Sequence, residues 1–310
     1  MNGFLVIDKP PGITSHDVVS RVRHTLHERR IGHTGTLDPF ATGVLLVMVG
    51  RATRLAQFLS ADDKEYEAII RLGFSTDTGD RTGTPSSPLS DIPTAAWSED
   101  EIEAALASLR GYIDQVPPMY SAKKIEGRKL YELARRGEEV ERKPVRVCIH
   151  EFAPLRPNGQ LVKDNLDGTF DFHVRVVCST GTYVRTLAED FGKRLKVGAH
   201  LAELRRTRVG RFTITSAISL EDLKTGFAEE ALGTVLISPR TALSHLPFLH
   251  LSVDDVRKAR HGMEVNVGES DWSDGDIISM CDVEGTLIAV GAYDGNRKVL
   301  HPRVVIAPLN

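Results

Sequence analysis

Residues 32–45 read Gly32-His33-Thr34-Gly35-Thr36-Leu37-Asp38-Pro39-Phe40-Ala41-Thr42-Gly43-Val44-Leu45. Glycines, threonines and a proline lead into the apolar run 44–49. That is loop chemistry feeding a buried strand or the start of a helix. One carboxylate, Asp38, stands in the loop. Pro39 follows it, and the proline ring pushes Asp38 away from helical backbone angles toward an extended form. A carboxylate on a rigid loop backed by an apolar element is a candidate nucleophile or general base. The blander alternative is an Asx-type turn in which Asp38 caps its own backbone. The loop alone does not choose between them.

Outward from this stretch, strands and helices mix. Residues 4–7 form a short apolar strand ending in the turn cluster Asp8-Lys9-Pro10-Pro11-Gly12. Val18, Val19, Val22 and Leu26 lie at helical spacing behind N-cap candidates at 14–17, which predicts a helix to about 28. Residues 50–59 read as a short helix. Residues 64–74 alternate as a strand, with Tyr66, Ala68, Ile70 and Leu72 on one face. Residues 75–90 are a polar loop. A capping-box-like start at Ser98-Glu99-Asp100-Glu101 opens a helix that stops at Gly111. Residues 115–124 are extended, and a charged helix covers about 128–136. Strands follow at 143–152 and 171–177, a helix at 183–195, and a short helical piece at 199–206 carrying Leu201 and Leu204. With no strict βαβ alternation and no dinucleotide fingerprint, the class is α+β with a mixed or largely antiparallel sheet. From about Pro247, short strands at 248–251, 277–282, 287–293 and 299–305 alternate with Gly-rich turns, and 255–261 reads as a small helix. That spacing suggests a small β-barrel.

A chain of 310 residues is comfortable for two domains, and 41% hydrophobic content supports a sizeable core. No run of about 18 apolar residues offers a transmembrane helix. The N-terminus has no charged n-region before a long apolar stretch, so it is not a signal peptide. Both point to a cytoplasmic protein. Cys148, Cys178 and Cys281 are odd in number, far apart and in no C-x-x-C pattern, so they predict neither disulfides nor a zinc site. A net charge of -3 does not advertise a nucleic-acid binder. Charge is nevertheless blocked along the chain. Lys193, Arg194, Lys196, Arg205, Arg206, Arg208 and Arg211 form one basic group, and Arg21, Arg23, Arg29 and Arg30 another. Glu264, Glu269, Asp271, Asp274, Asp276, Asp282 and Glu284 form an acidic block. A basic face on a neutral protein suffices for RNA, although solvated surface is the plainer reading of any single block.

The run 32–45, together with Asp8-Lys9-Pro10-Pro11-Gly12 and blocks downstream, resembles the signature of the TruB family of tRNA pseudouridine synthases. The resemblance extends from about residue 4 to about 215, and a run this long and detailed is far more specific than a short pattern. It implies a catalytic domain at 1–245, with a thumb-like insertion at about 120–146, and a PUA-like RNA-binding domain at 246–310. It further implies that uridine 55 in the T loop of tRNA is isomerised to pseudouridine, with the T-arm stem-loop as partner. No cofactor, metal or obligate protein partner is expected. The reaction cleaves an N-glycosidic bond, rotates the base and re-bonds it through C5. A carboxylate can attack and leave again, and a nearby cation keeps it ionised.

On the matching positions the resemblance implies specific roles. Asp38 would be the catalytic aspartate and Arg185, in Thr182-Tyr183-Val184-Arg185, its cation. Tyr66 would stack on the uracil and stand as a candidate for the C5 proton. Tyr183 and Leu204 would line the pocket, and Asp80 would join the charged network. His33 would fill the space left by a flipped base. Lys9, Arg205 and Arg206 would meet phosphates. Without the resemblance, Tyr66 and Leu204 pass as core, Arg185 as surface charge, and His33 as a ligand, a titrating group or a bystander. His24 and His27 read as solvated helix surface. Two other functions stay open. A nucleosidase or glycosidase using Asp38 would pair two catalytic carboxylates. A non-catalytic RNA-binding or tRNA-folding protein would need the basic residues but not Asp38 with Arg185. Whether Asp38 attacks C1′ of the ribose or C6 of the base is not legible.

Overall fold

The computed structural model describes residues 1–90, 97–121, 123–125, 127–134, 136–138, 140–225, 233–268 and 270–307, with backbone alone at 124, 125, 129 and 131. Seven strands form the spine of a mixed sheet. They are β1 (Gly3–Lys9), β2 (Thr42–Val49), β3 (Lys64–Gly73), β4 (Gly111–Gln115), β5 (Val145–Pro154), β6 (Phe170–Cys178) and β7 (Gly198–Val209). Their spatial order is β1-β2-β7-β3-β6-β5-β4, with Ile31–Thr34, Val162–Asp164 and Phe212–Thr213 paired alongside. Neighbours along the path are antiparallel except at β2–β7.

The apolar run after the Asp38 loop is β2, and its unbroken hydrophobicity follows from burial on both faces. On one side Leu45 and Val47 pack with Leu5 and Ile7 under Val18, Val19 and Val22 of helix α1 (Ser15–Leu26). On the other, Val44 and Leu46 join Phe4 and Val6 against Cys281, Leu287, Val290 and Val304. The alternating face of β3 is buried as its pattern demands. Tyr66, Ala68, Ile70 and Leu72 pack with Leu187, Ala188 and Phe191 of α3 (Val184–Arg194) and with Ile102 and Leu106 of α2 (Glu99–Ala107). Capping boxes at Thr14/Asp17 and Ser98/Glu101 start α1 and α2.

Two sequence readings are corrected. Residues 199–206 are not helical; they belong to β7, antiparallel to β3. The register shifts between Leu201 and Glu203. The extra residue places Leu201 and Leu204, three apart, both toward the core, which imitates helical spacing. The charged helix at 128–136 shortens to Leu130–Ala134, because Arg128–Lys129 pairs with Lys124–Ile125 as a two-residue ladder. Part of the insertion at 120–146, including Ala122, Glu126, Arg135 and Glu139, lies outside the described residues.

After α4 (Leu220–Thr225), the C-terminal strands form a separate five-stranded sheet ordered β8-β10-β11-β12-β9: β8 (Phe248–His250), β9 (Val265–Asn266), β10 (Ile277–Cys281), β11 (Leu287–Asp294) and β12 (Val299–Val305), with helix α5 (Val253–Arg260). This arrangement is PUA-like and shares the β1–β2 core cluster. Its acids are largely used internally. Glu264 pairs with Arg297 at 2.6 Å, while Asp274, Asp276 and Asp282 accept backbone N–H groups in turns. Glu269 lies outside the described residues. Cys178 and Cys281 are buried free thiols and Cys148 is half-buried. Among the described residues no helix is long and apolar enough to cross a membrane.

At the parallel junction β2–β7 the two backbones approach closely. Gly43 has φ +102°, and a Cβ there would run into the Arg206 backbone carbonyl. Gly43→Ala is therefore expected to lower unfolding stability by more than about 2 kcal/mol. Urea denaturation checks this, and an unchanged midpoint would contradict it.

Candidate active site

β2 pairs with β7 only through Thr42 and Gly43, and further along Ile31–Thr34 takes over that edge. The sheet opens between the two, and the Asp38 loop leaves through the gap. Two buried cations hold the gap in shape. Arg206, 1% exposed, donates from Nε to the Val44 carbonyl (2.7 Å) and from Nη2 to the Gly35 carbonyl (3.0 Å). Lys9, fully buried, donates from Nζ to the carbonyls of Ala41 (2.7 Å), Pro10 (2.9 Å) and Pro39 (3.3 Å). Ser15 Oγ ties the loop to α1, accepting from Leu37 N–H (2.8 Å) and donating to the Leu37 carbonyl (3.1 Å).

Asp38 turns toward Arg185 instead of its own backbone. Arg185 Nε stands 3.0 Å from Asp38 Oδ2, and Nη2 3.4 Å from Oδ1. Arg185 enters from the first turn of α3, after Tyr183, whose backbone is extended (φ −101°, ψ 104°). Its guanidinium also donates to the carbonyls of Thr78 (2.9 Å) and Tyr120 (2.6 Å) and stands 3.6 Å from Asp80. One planar fork thus joins four chain segments. Asp80 is held in turn by the hydroxyls of Thr78 and Thr82 and by the Thr82 N–H. Gln115 brackets Tyr183, accepting from its N–H (2.9 Å) and donating to its carbonyl (3.3 Å).

These groups meet at a cavity of about 270 Å³, lined among others by Asp38, Tyr66, Tyr183, Arg185, Leu204 and Arg206. A second cavity, about 720 Å³, shares Asp38 and Arg185 and adds His33, Phe40, Asp80 and Tyr120. Asp38 lies deep in the cleft with a third of its side chain (34%) open to it. Burial pushes its carboxyl above the usual aspartate value, and the Asp80 charge adds to that push; Arg185 and Lys9 pull against them. Burial also raises the Tyr66 phenol, which the adjacent Arg206 opposes. His33 is pushed down by burial, then by Arg206 and His16, and its Nδ1 is buried without a hydrogen-bond partner. Burial brings Lys9 down to about 8.

The structure brings Asp38, Arg185, Tyr66, Tyr183, Leu204, Asp80 and His33 together. The Lys9 ammonium is spent on three loop carbonyls, and Arg206 spends Nε and Nη2 on two more, so neither stands on the outer surface of the sheet, although Arg206 also lines the cavity. Arg205, on the opposite face of β7, is half-exposed and pairs with Asp8 at 2.8 Å. Sequence reading did not single out Ser15, Gln115, Lys64 or the carbonyls of Thr78 and Tyr120. Backbone acceptors leave no residue-type signal, and a buried Gln or Lys within a strand carries none either. Among the described residues no group of three or more His, Cys, Asp or Glu is placed to hold a metal ion.

The description "TruB family pseudouridylate synthase (N terminal domain)" fits residues 23–184, and "tRNA pseudouridylate synthase B C-terminal domain" fits 185–244. A Bacillus cytotoxicus protein named tRNA pseudouridine synthase B is 45% identical over 264 residues, covering 85% of this chain and 84% of its own length. A Moorella thermoacetica protein of the same name is 41% identical over 314 residues, covering 98% and 99%. Among solved structures, an H/ACA RNP bound to a substrate RNA containing 2′-deoxyuridine superposes with a TM-score of 0.71 at 27% identity, over 99% of this chain and 85% of that one. A Cbf5-Nop10-Gar1 complex gives 0.71 at 28%, with the same coverage. The chain belongs to the TruB family of pseudouridine synthases.

The charge balance at Asp38 is directly measurable. Its carboxyl is expected to titrate above the ~3.9 of a free aspartate. Asp80→Asn removes a like charge and lowers it, whereas Arg185→Gln removes the opposite charge and raises it. Carboxyl carbon NMR on aspartate-labelled protein, assigned with Asp38→Asn, reads both shifts. A titration unmoved by either change would refute the assignment of causes.

Proposed function

We propose that this protein converts uridine 55 in the T loop of tRNA to pseudouridine, with Asp38 as the nucleophile. The observation that carries the reading is the Asp38–Arg185 contact at 3.0 Å, set in a cavity walled by Tyr66, Tyr183 and Leu204. A target uridine stacked in a folded loop must be extruded to reach it, at a cost of a few kcal/mol. The side chains of Tyr66 and Leu204 then offer apolar surface to the base, and His33, neutral because its pKa is depressed, is suited to a stacked space without bringing charge there.

Arg185 keeps Asp38 ionised against its desolvation, and a carboxylate made more basic by burial is a better nucleophile. Asp38 bonds C1′ as the C1′–N1 bond breaks, and the electron pair goes to the base. The base turns within the cavity, C5 bonds to C1′ as the Asp38 carboxylate leaves, the C5 proton passes to a base, and N1 takes up a proton. Tyr66 lies in the same wall. Burial raises its phenol on balance, and the Arg206 cation beside it only partly offsets that.

Residues 1–245 make the catalytic part in this reading, and 246–310 a PUA-like part that contacts RNA. Internal pairing of the acidic side chains there reduces the repulsion that the sequence alone suggests. The T-arm stem-loop is the recognised partner, and the cytoplasm, where tRNA is found, is the expected compartment. A nucleosidase is the poorer fit, because Asp80, the second carboxylate at Arg185, is committed to Thr78, Thr82 and Arg185 and offers no free acid for the leaving group.

An unmodified tRNA transcript incubated with the protein and EDTA, then mapped by carbodiimide-dependent primer-extension stops, tests this. Wild-type protein is expected to produce one stop in the T loop. Asp38→Asn is expected to lower the single-turnover rate by more than about 1,000-fold. Free uracil would indicate a nucleosidase, and tight binding without a stop would leave an RNA-binding protein.

A further inference from the structure

Lys64 is a cation in the cavity wall that the reading above does not use. It lies two residues before Tyr66 on β3 and lines the same cavity. It is 7% exposed, and its Nζ donates to the backbone carbonyl of Asp62 (2.5 Å). Among the described residues its ammonium has no other hydrogen bond and no ion pair. Buried Lys9 offers the contrast, since three carbonyls satisfy its three donors. Two donors on Lys64 are left over, and a buried ammonium so poorly met is costly unless a further acceptor arrives.

A second cation adjoins it. A Cβ placed on Gly35 would lie 3.5 Å from both Arg206 Nη1 and Lys64 Cε. Arg206 has committed Nε and Nη2 to carbonyls. Two like charges therefore share a desolvated wall. The carboxylates of Asp62 and Asp63 attract Lys64 only from beyond ion-pairing range, and its pKa is lowered by burial and then by Arg206. The cavity is also lined by Lys123 and by the turn Thr180-Gly181-Thr182, where Gly181 (φ +84°) faces open space. That wall suits an anion. The anion must belong to a molecule whose reacting atoms reach Asp38 in the same cavity.

We propose that Lys64, backed by Arg206, binds a backbone phosphate flanking the extruded uridine, on its 5′ or its 3′ side. The proposal rests on the pseudouridine-synthase reading, in which phosphate is the only anionic group the substrate carries. Lys64 then acts as a positioning residue: it fixes where the ribose of the target nucleotide lies relative to Asp38.

The test uses T-arm hairpins in which the phosphate 5′ or 3′ of the target uridine is replaced, one at a time, by an uncharged methylphosphonate. Wild-type protein is expected to bind one of the two about tenfold or more weaker than the unmodified hairpin. Lys64→Met is expected to show that weakening already with the unmodified hairpin and to lose nothing further at the sensitive position. Its plot of log affinity against log salt should be shallower by about one. Lys64→Arg should retain the affinity and the phosphate dependence. Equal losses in wild type and Lys64→Met at both positions would overturn the proposal. So would a wild-type protein indifferent to both replacements, and that arm decides the matter even where Lys64→Met does not fold. Wild-type protein that shows the phosphate dependence but forms no pseudouridine would overturn the catalytic reading and leave the contact standing. Full modification of both hairpins with unchanged affinity would do the reverse.

Discussion

The site depends on two deeply buried cations. Lys9 and Arg206 together gather five backbone carbonyls around the Asp38 loop: Pro10, Pro39, Ala41, Gly35 and Val44. A loop leaving a split in a sheet exposes acceptors that no neighbouring strand can pair. Left unmet in a buried place, each costs on the order of 1–3 kcal/mol. One guanidinium and one ammonium, with donors pointing several ways, meet what a ladder would otherwise supply. The carbonyl dipoles in turn solvate the charges. Removing either partner would strand the other, so the arrangement specifies the loop strongly even where its net stabilisation is modest.

Arg185 extends the same logic to the far side of Asp38. It reads the Thr78 carbonyl and Asp80 carboxylate of one turn, the Tyr120 carbonyl and the Asp38 carboxylate, so that with its own helix four segments remote in sequence meet. Asp38 is therefore positioned by agreement among four segments, and no short peptide could reproduce its environment. The opposing electrostatic influences also follow. Burial and Asp80 favour the neutral form of Asp38, while Arg185 and Lys9 favour the charged one. Desolvation prevails in the free protein, and the carboxylate retains its basicity instead of being quenched in a fully satisfied ion pair.

The general plan was legible in the sequence because most elements have one-sided or fully buried patterns. Alternation in β3 and the unbroken run of β2 survive in the fold for the reasons that made them readable. The failure at 199–206 is physical. A bulge inserts one residue, breaks the period of two and produces the i, i+3 spacing of a helix turn. Motif resemblance found Asp38, Arg185, Tyr66 and Asp80, but it could not say which way a charged residue points. Arg205 and Arg206 are adjacent in sequence and lie on opposite faces of β7, one pairing with Asp8 at the surface and one buried under the loop. Phosphate contact was assigned to both on charge alone. Lys64 escaped notice although the period of two places it on the same face as Tyr66: a lysine at the end of a strand pattern gives no sign of whether its ammonium stays buried or turns out to solvent.

The charges around the cavity explain why an RNA nucleotide suits it better than water does. Lys64 has unmet donors, Arg206 has a guanidinium edge toward Gly35, and Asp38 is desolvated beyond what Arg185 offsets. A nucleotide presents an anion for the cations and a ribose carbon that becomes electron-poor as its glycosidic bond weakens. In the proposed reaction the second would complement Asp38 only as the bond weakens, which would favour the transition state over the bound ground state. Incomplete solvation in the free protein is then part of what the site offers a substrate.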